Sequence, residues 1–202
     1  VKCCAAKDGL DMQQKQSLSY NQGFSLIEVL ITLVLITLGV LGMLALQSKS
    51  IQYTQDAVHR NSAIHLANDL LEIMRAHRGE FFAQQPPQTP MYTGLKSSSS
   101  LYNGDGTLKL NAQRCPTAGA PQNVVEQGHC WLKTLEMQLP DSGAEAIQSQ
   151  LKVCPSFSAG QCAGAGYQGG SIEVQLAWRG APGACVDGPQ EDVCIYRARG
   201  EL

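Results

Sequence analysis

One stretch limits this chain more than any other. From Phe24 to Leu46 the sequence reads FSLIEVLITLVLITLGVLGMLAL, and its single ionisable residue is Glu28. As a helix rising about 1.5 Å per residue, the run spans roughly 35 Å. The hydrocarbon core of a bilayer is about 30 Å thick, so this helix can cross it with some tilt. A carboxylate near one end of such a span is costly. Insertion scales place Asp, its nearest analogue, at about +2.5 to +3.5 kcal/mol mid-helix and less toward the ends. That cost calls for a partner, which an ordinary single-pass anchor with a stray Glu would not supply.

The residues around Glu28 carry a resemblance. GFSLIEVLI, beginning at Gly23, is similar to the N-terminal signature of type IV prepilins and the related pseudopilins. That signature has a Gly, an aromatic and an apolar run, with Glu at the fifth position after the Gly. The resemblance implies cleavage between Gly23 and Phe24 by a prepilin peptidase, which also methylates the new amine of Phe24. It further implies that Glu28 answers the amino-terminal charge of a neighbouring subunit during assembly. The expected division is a removed leader at 1–23, a transmembrane half-helix at 24–46, an amphipathic half at 47–78 and a periplasmic or extracellular head at 79–202.

The leader does not read as a secretory signal peptide, because it lacks an apolar core and a small-residue cleavage site. It is polar, with Lys2, Lys7 and Lys15 against Asp8 and Asp11. A start at Met12 would give MQQKQSLSYNQG, similar to the short leaders of type IV prepilins, with the preceding residues arising from an upstream start. Lys15 is then its one cation, so charge says little about orientation.

Cysteine placement says more. Cys3 and Cys4 lie in the leader, whereas Cys115, Cys130, Cys154, Cys162, Cys185 and Cys194 all lie far beyond the apolar run. An even set confined to one side fits disulfides in an oxidising periplasm. No CxxC-like pair suggests zinc, and no metal or other cofactor is expected. Six cysteines allow many pairings. The sequential one, Cys115–Cys130, Cys154–Cys162 and Cys185–Cys194, is the expectation, and its last pair would staple two strands much as the C-terminal disulfide loop of major pilins does. A net charge of −2 gives no basic field for nucleic acid.

Helical character continues past the apolar run. No Pro or Gly occurs from Gln47 to Arg78, and Ile51, Val58, Ile64, Leu71 and Met74 recur at near-helical spacing. One helix is expected from about Phe24 to Arg78, stopped by Gly79, with a soluble domain of about 120 residues lying against its second half. Gly39 and Gly42 suit close packing in lipid, or equally an ordinary membrane helix.

Residues 83–122 read as a long irregular section, with a turn at NGDG (103–106) and a short strand at Leu108 and Leu110. NGDG lacks the further acidic ligands of a calcium loop. Asn123 to Leu139 favours a helix, capped by Asn123 with Glu126 and ended by Pro140, although Gly128 weakens it and a strand is the alternative. Three alternating segments read as strands: Ile147–Val153, Ile172–Trp178 and Val193–Arg197. The fold class is therefore α+β, type IV pilin-like: a long N-terminal helix packed on a small antiparallel sheet with disulfide-stapled loops.

Catalytic signals are absent or out of place. GAGYQGG (164–170) contains G-x-G-x-x-G, but it follows a Cys loop and precedes a strand instead of opening a helix. His59, His65, His77 and His129 are scattered, and no nucleophile elbow occurs. Phe81, Phe82, Tyr92 and Tyr102 would serve either an adhesive surface or the core.

The expected activity is not enzymatic. The length, three pairs of cysteines and absence of Pro in the apolar half resemble a minor pilin more than a major one. That reading implies assembly with other minor pilins and the major pilin, contact with an inner-membrane assembly platform and lipid, and a contribution to twitching motility and attachment. The protein would wait in the inner membrane with its head in the periplasm, then enter the pilus. A minor pseudopilin of type II secretion is the runner-up. A membrane-anchored periplasmic enzyme or receptor is the alternative of another class.

Overall fold

A computed structural model describes residues 23–163, 166–185 and 188–202. The leader, with Met12, Cys3 and Cys4, lies outside the described residues, as do two positions of the GAGYQGG stretch. The chain divides into two compact units at Gln47/Ser48.

Helix α1 runs from Leu26 to Ala76. Its start is set by Ser25, whose carbonyl accepts from Glu28 N at 3.0 Å and from Val29 N at 3.2 Å. In the first unit every described side chain is exposed, including the apolar ones from Phe24 to Leu46. An all-round apolar surface of this kind belongs in lipid or among other helices.

The second unit holds the core. Ala63, Leu66, Ala67, Leu70, Leu71 and Met74 of α1 are buried in it. Ile51, Tyr53 and Val58 remain exposed. The expected domain cover along the whole amphipathic half thus begins only near Ala63. The helix also stops before Gly79. His77 leaves helical geometry at φ −121°, ψ 37°, and its Nδ1 bonds the Ile73 carbonyl at 2.9 Å. Gly79 sits inside α2, a single turn from Arg78 to Phe81.

Strands β1 (Phe82–Gln84) and β2 (Thr93–Leu95) form a small antiparallel ribbon. Phe81, Phe82 and Tyr102 are buried, and of the four aromatics considered for adhesion only Tyr92 is exposed. The NGDG stretch is a turn: Gly106 N bonds Asn103 O, Gly106 has φ +85°, and Asp105 Oδ1 accepts from both N and Oγ1 of Thr107. Leu108 makes a single bridge to Tyr102 in place of the expected strand, because the chain turns at once into a 3-10 turn, Ala112–Arg114.

Helix α3 spans Val124 to Gln138. Asn123 Oδ1 accepts from Glu126 N at 2.9 Å, and the Glu126 carboxylate reaches back to Asn123 Nδ2 and Gln122 N. Gly128 has a packing reason, since a Cβ there would stand 2.8 Å from Leu110 Cδ2 and 3.0 Å from Leu101 Cδ2. Trp131 ties α3 to α1 by donating Nε1–H to the Leu66 carbonyl at 2.8 Å.

The segment read as a strand from Ile147 to Val153 is different. Residues Glu145–Gln148 form a helical turn, α4, and β3 covers only Lys152–Pro155. Ile147 and Leu151 are both buried, four residues apart, which suits a helical turn as well as alternation does. Strands β4 (Ser171–Arg179) and β5 (Val193–Glu201) complete a three-stranded antiparallel sheet in the order β3-β4-β5.

Ile172, Val174, Leu176 and Trp178 face the core, on the side where Gly200 meets Leu71 and Arg75 of α1. The other face is covered too. Glu173 is only 5% exposed, with Gly160 N donating to it at 2.8 Å and Arg199 Nη2 lying 3.3 Å away. Disulfides join Cys115–Cys130, Cys154–Cys162 and Cys185–Cys194. The molecule is an α+β protein in which a long N-terminal helix packs on small antiparallel sheets.

Candidate functional site: the N-terminal helix start

Three polar side chains occur between Leu26 and Leu46: Glu28, Thr32 and Thr37. Both threonines are satisfied within the helix. Thr32 Oγ1 donates to the Val29 carbonyl and Thr37 Oγ1 to the Val34 carbonyl, each at 2.9 Å. Such back-bonding removes most of the cost of a hydroxyl in hydrocarbon. Glu28 has no counterpart arrangement. Ser25 and Glu28 have capping-box spacing, S-x-x-E, a further signal legible in the sequence. The box is not closed. Among the described residues, the Glu28 carboxylate takes no hydrogen bond and no ion pair.

Position still favours a negative charge there. Glu28 lies in the first turn of α1, where unbonded N–H groups carry the positive end of the helix dipole. That offsets part of the burial cost without using up the carboxylate's acceptor sites. Gly23 precedes the helix with open space around it, and Phe24 is 82% exposed. The Gly23–Phe24 bond thus lies just before the first turn, outside any helix or strand. Gly39 and Gly42 also face open space, and a second helix can approach closely along them.

The rest of the molecule offers little chemistry. Among the described residues no cluster of three or more His, Cys, Asp or Glu side chains is placed to hold a metal ion. His129 is buried and used structurally, with Nδ1 accepting from Asn111 N at 3.1 Å. Burial, with the Arg114 charge second, holds its pKa below the ordinary value, against the pull of Glu126. An apolar groove of about 440 Å³ lies between α1 and α3, floored by Leu66, Ile73 and Trp131. Asp69, Glu72 and the disulfide-bonded Cys130 also line it.

These features define a class: a chain with, among the described residues, one helix long and apolar enough to cross a membrane, beginning in a carboxylate-bearing first turn, and a disulfide-bonded α+β unit. Residues 18–44 match the family model described as the prokaryotic N-terminal methylation motif. The match supports a place among type IV prepilin-like proteins, pilins or pseudopilins, whose members are structural subunits and not enzymes. It implies processing by a prepilin peptidase and pilus-assembly partners in general, and with the apolar helix it fits a membrane-anchored subunit later assembled into a pilus. No curated protein and no solved structure matches the chain.

Proposed function

We propose that this protein is a minor pilin that helps to prime type IV pilus assembly with other minor pilins. In this reading the peptidase cuts between Gly23 and Phe24 and methylates Phe24. The apolar helix then waits in the inner membrane with the disulfide-bonded unit in the periplasm. On assembly it leaves lipid for the helices of the filament core. That transfer changes hydrophobic energy little, so packing and polar pairing set the register. Glu28 pairs with the amino-terminal charge of a neighbouring subunit, in surroundings of low dielectric that strengthen the attraction. The single observation that carries the reading is that three polar side chains occur between Leu26 and Leu46, and only Glu28 among them is left without a bond inside its own helix.

IEVLITLVLITLGVLGMLALQ, HCWLKTLEMQLP and SIEVQLAWRG further resemble the minor pilin called type IV pilus modification protein PilV. The resemblance is loose beyond the N-terminal helix. It suggests a low-abundance subunit near the pilus tip, supporting twitching motility and attachment.

The test is a pair of substitutions followed in sheared filaments. Glu28→Val is expected to permit processing and membrane insertion and to impair filament entry. Gly23→Val is expected to block processing and hence assembly. Normal filament entry of Glu28→Val would remove the role given to the carboxylate. A deletion strain that loses secretion but keeps its pili would favour a type II pseudopilin instead.

A further inference from the structure

Between Lys109 and Cys115 the chain forms a bow pinned at both ends. Lys109 N donates to Leu101 O at 2.8 Å, and a disulfide joins Cys115 to Cys130 of α3. Most of its bonds are internal. Gln113 N donates to Asn111 Oδ1 at 2.9 Å, Arg114 N to Asn111 O at 3.1 Å, and Cys115 N to Ala112 O at 3.3 Å. Among the described residues, one hydrogen bond ties Leu110–Arg114 to anything beyond the two pins. It runs from Asn111 N to His129 Nδ1, at 3.1 Å. Apolar anchoring is thin. Leu110 is half-buried over Gly128, and Ala112 is the one buried side chain of the stretch.

That bond needs a lone pair on Nδ1, so the ring must be neutral with its proton on Nε2. A second proton would set Nδ1–H against the Asn111 N–H, two donors with no acceptor between them. Burial also disfavours the charged ring, since His129 is only 6% exposed.

The charges around it come from three places. Arg114, in the bow itself, opposes the imidazolium. Lys109, at the first pin, has its ammonium held by Ser98 Oγ and Ser99 O. On α3, Lys133 is a further cation one turn along, and Glu126 favours the imidazolium. The Glu126 carboxylate is already engaged at the helix cap by Asn123 Nδ2 and Gln122 N.

Lifting the bow relieves these costs together, because water can then reach both the ring and the Asn111 N–H. The protonated ring therefore favours the lifted form, and acid shifts the population toward it. The closed form is fully favoured above the ordinary histidine value of 6.5 and loses that advantage as pH falls through the lower value of the closed state.

We infer that His129 is the catch of a pH-operated flap: neutral, it holds Leu110–Arg114 against α3, and protonated, it releases that stretch while the two pins keep its ends in place. The lifted flap uncovers Gly128 and His129 of α3. Five residues with one outside bond and little buried surface are the kind of segment that opens without the rest of the fold. The inference goes beyond the proposed role in assembly and does not depend on processing at Gly23.

Amide exchange on the full-length chain in detergent, read residue by residue by NMR and corrected for intrinsic rates, tests it. From pH 7 to pH 5 the protection of the Asn111 amide should fall roughly fivefold, the contribution of one ordinary hydrogen bond. Leu176 and Trp178 in β4 should keep theirs. In His129→Gln, whose neutral Oε1 can accept in place of Nδ1, Asn111 should be equally protected at both pH values. If that variant melts early, Arg114→Gln, which keeps the catch and removes the neighbouring cation, should move the fall to higher pH. Asn111 protection that stays flat in the parent would overturn the inference. So would an equal fall in His129→Gln, a fall at unchanged or lower pH in Arg114→Gln, or loss of protection in β4 at the same pH.

Discussion

Glu28 and His129 show how differently one chain treats two titratable groups. His129 is closed off: its Nδ1 accepts from Asn111 N, it is buried, and Arg114 adds an unfavourable charge to the protonated form. Its pKa in the fold is therefore below the value of 6.5 that it takes when unfolded. The stability it contributes is fully present above that value and is lost as pH falls through the lower folded pKa. Urea melts should accordingly show stability falling between pH 7 and pH 5, with a shallower fall in His129→Gln. An identical slope in both would contradict this assignment. Glu28 is the open case. The spacing of Gly23, Phe24 and Glu28 was legible in the sequence because a charge in an apolar run is conspicuous. The accounting that isolates Glu28 was not, since it depends on where the hydroxyls of Thr32 and Thr37 point.

At the scale of elements, structure was legible in the sequence where one periodicity had no rival. Helix α3 follows from Asn123, Glu126 and the Trp131–Leu135–Leu139 face, and the reciprocal bonds of its cap match the pattern. Asn123→Ala should cost about 1 kcal/mol of stability in denaturant melts. A loss within error of zero would mean that Glu126 and Gln122 hold the turn without it. Strands β4 and β5 were legible for the same reason, although alternation did not reveal that Glu173 and Gln175 are buried as well. The failures share a cause. Ile147 and Leu151 fit a helical turn as well as a strand. Leu108 and Leu110 follow the NGDG turn but have only a bridge to pair with. Gly79 looked like a helix stop, yet the break comes earlier, where the His77 ring bonds the Ile73 carbonyl. Each depends on tertiary partners that local pattern does not encode. Two tryptophans give a further element-scale expectation. Trp131 Nε1 bonds Leu66 O between helices, whereas buried Trp178 Nε1 has no partner among the described residues. Trp131→Phe should therefore destabilise by about 1 kcal/mol more than Trp178→Phe, the net value of one hydrogen bond.

Across the whole molecule, two different solvents are written into the composition. The unit from Ser48 onward buries a continuous apolar core and links it with three disulfides whose loops span 15, 8 and 9 residues. Breaking the first with Cys115→Ser and Cys130→Ser together should cost about 3 kcal/mol by the loop-entropy relation. A melt unchanged by that pair, or by reductant, would mean the bond adds nothing to this fold. The described residues before Ser48, from Gly23 onward, bury none of their apolar side chains. That imbalance is what the proposed role explains: a surface with no place in water is held first by lipid and then by the helices of a filament. The claim depends on a new amine at Phe24 next to the Glu28 turn. Mass spectrometry of the N-terminus of this protein, recovered from sheared surface filaments, tests it most directly. The account predicts a chain that begins at Phe24 and carries an added methyl group. A chain in those filaments that still carries residues before Phe24 would contradict it.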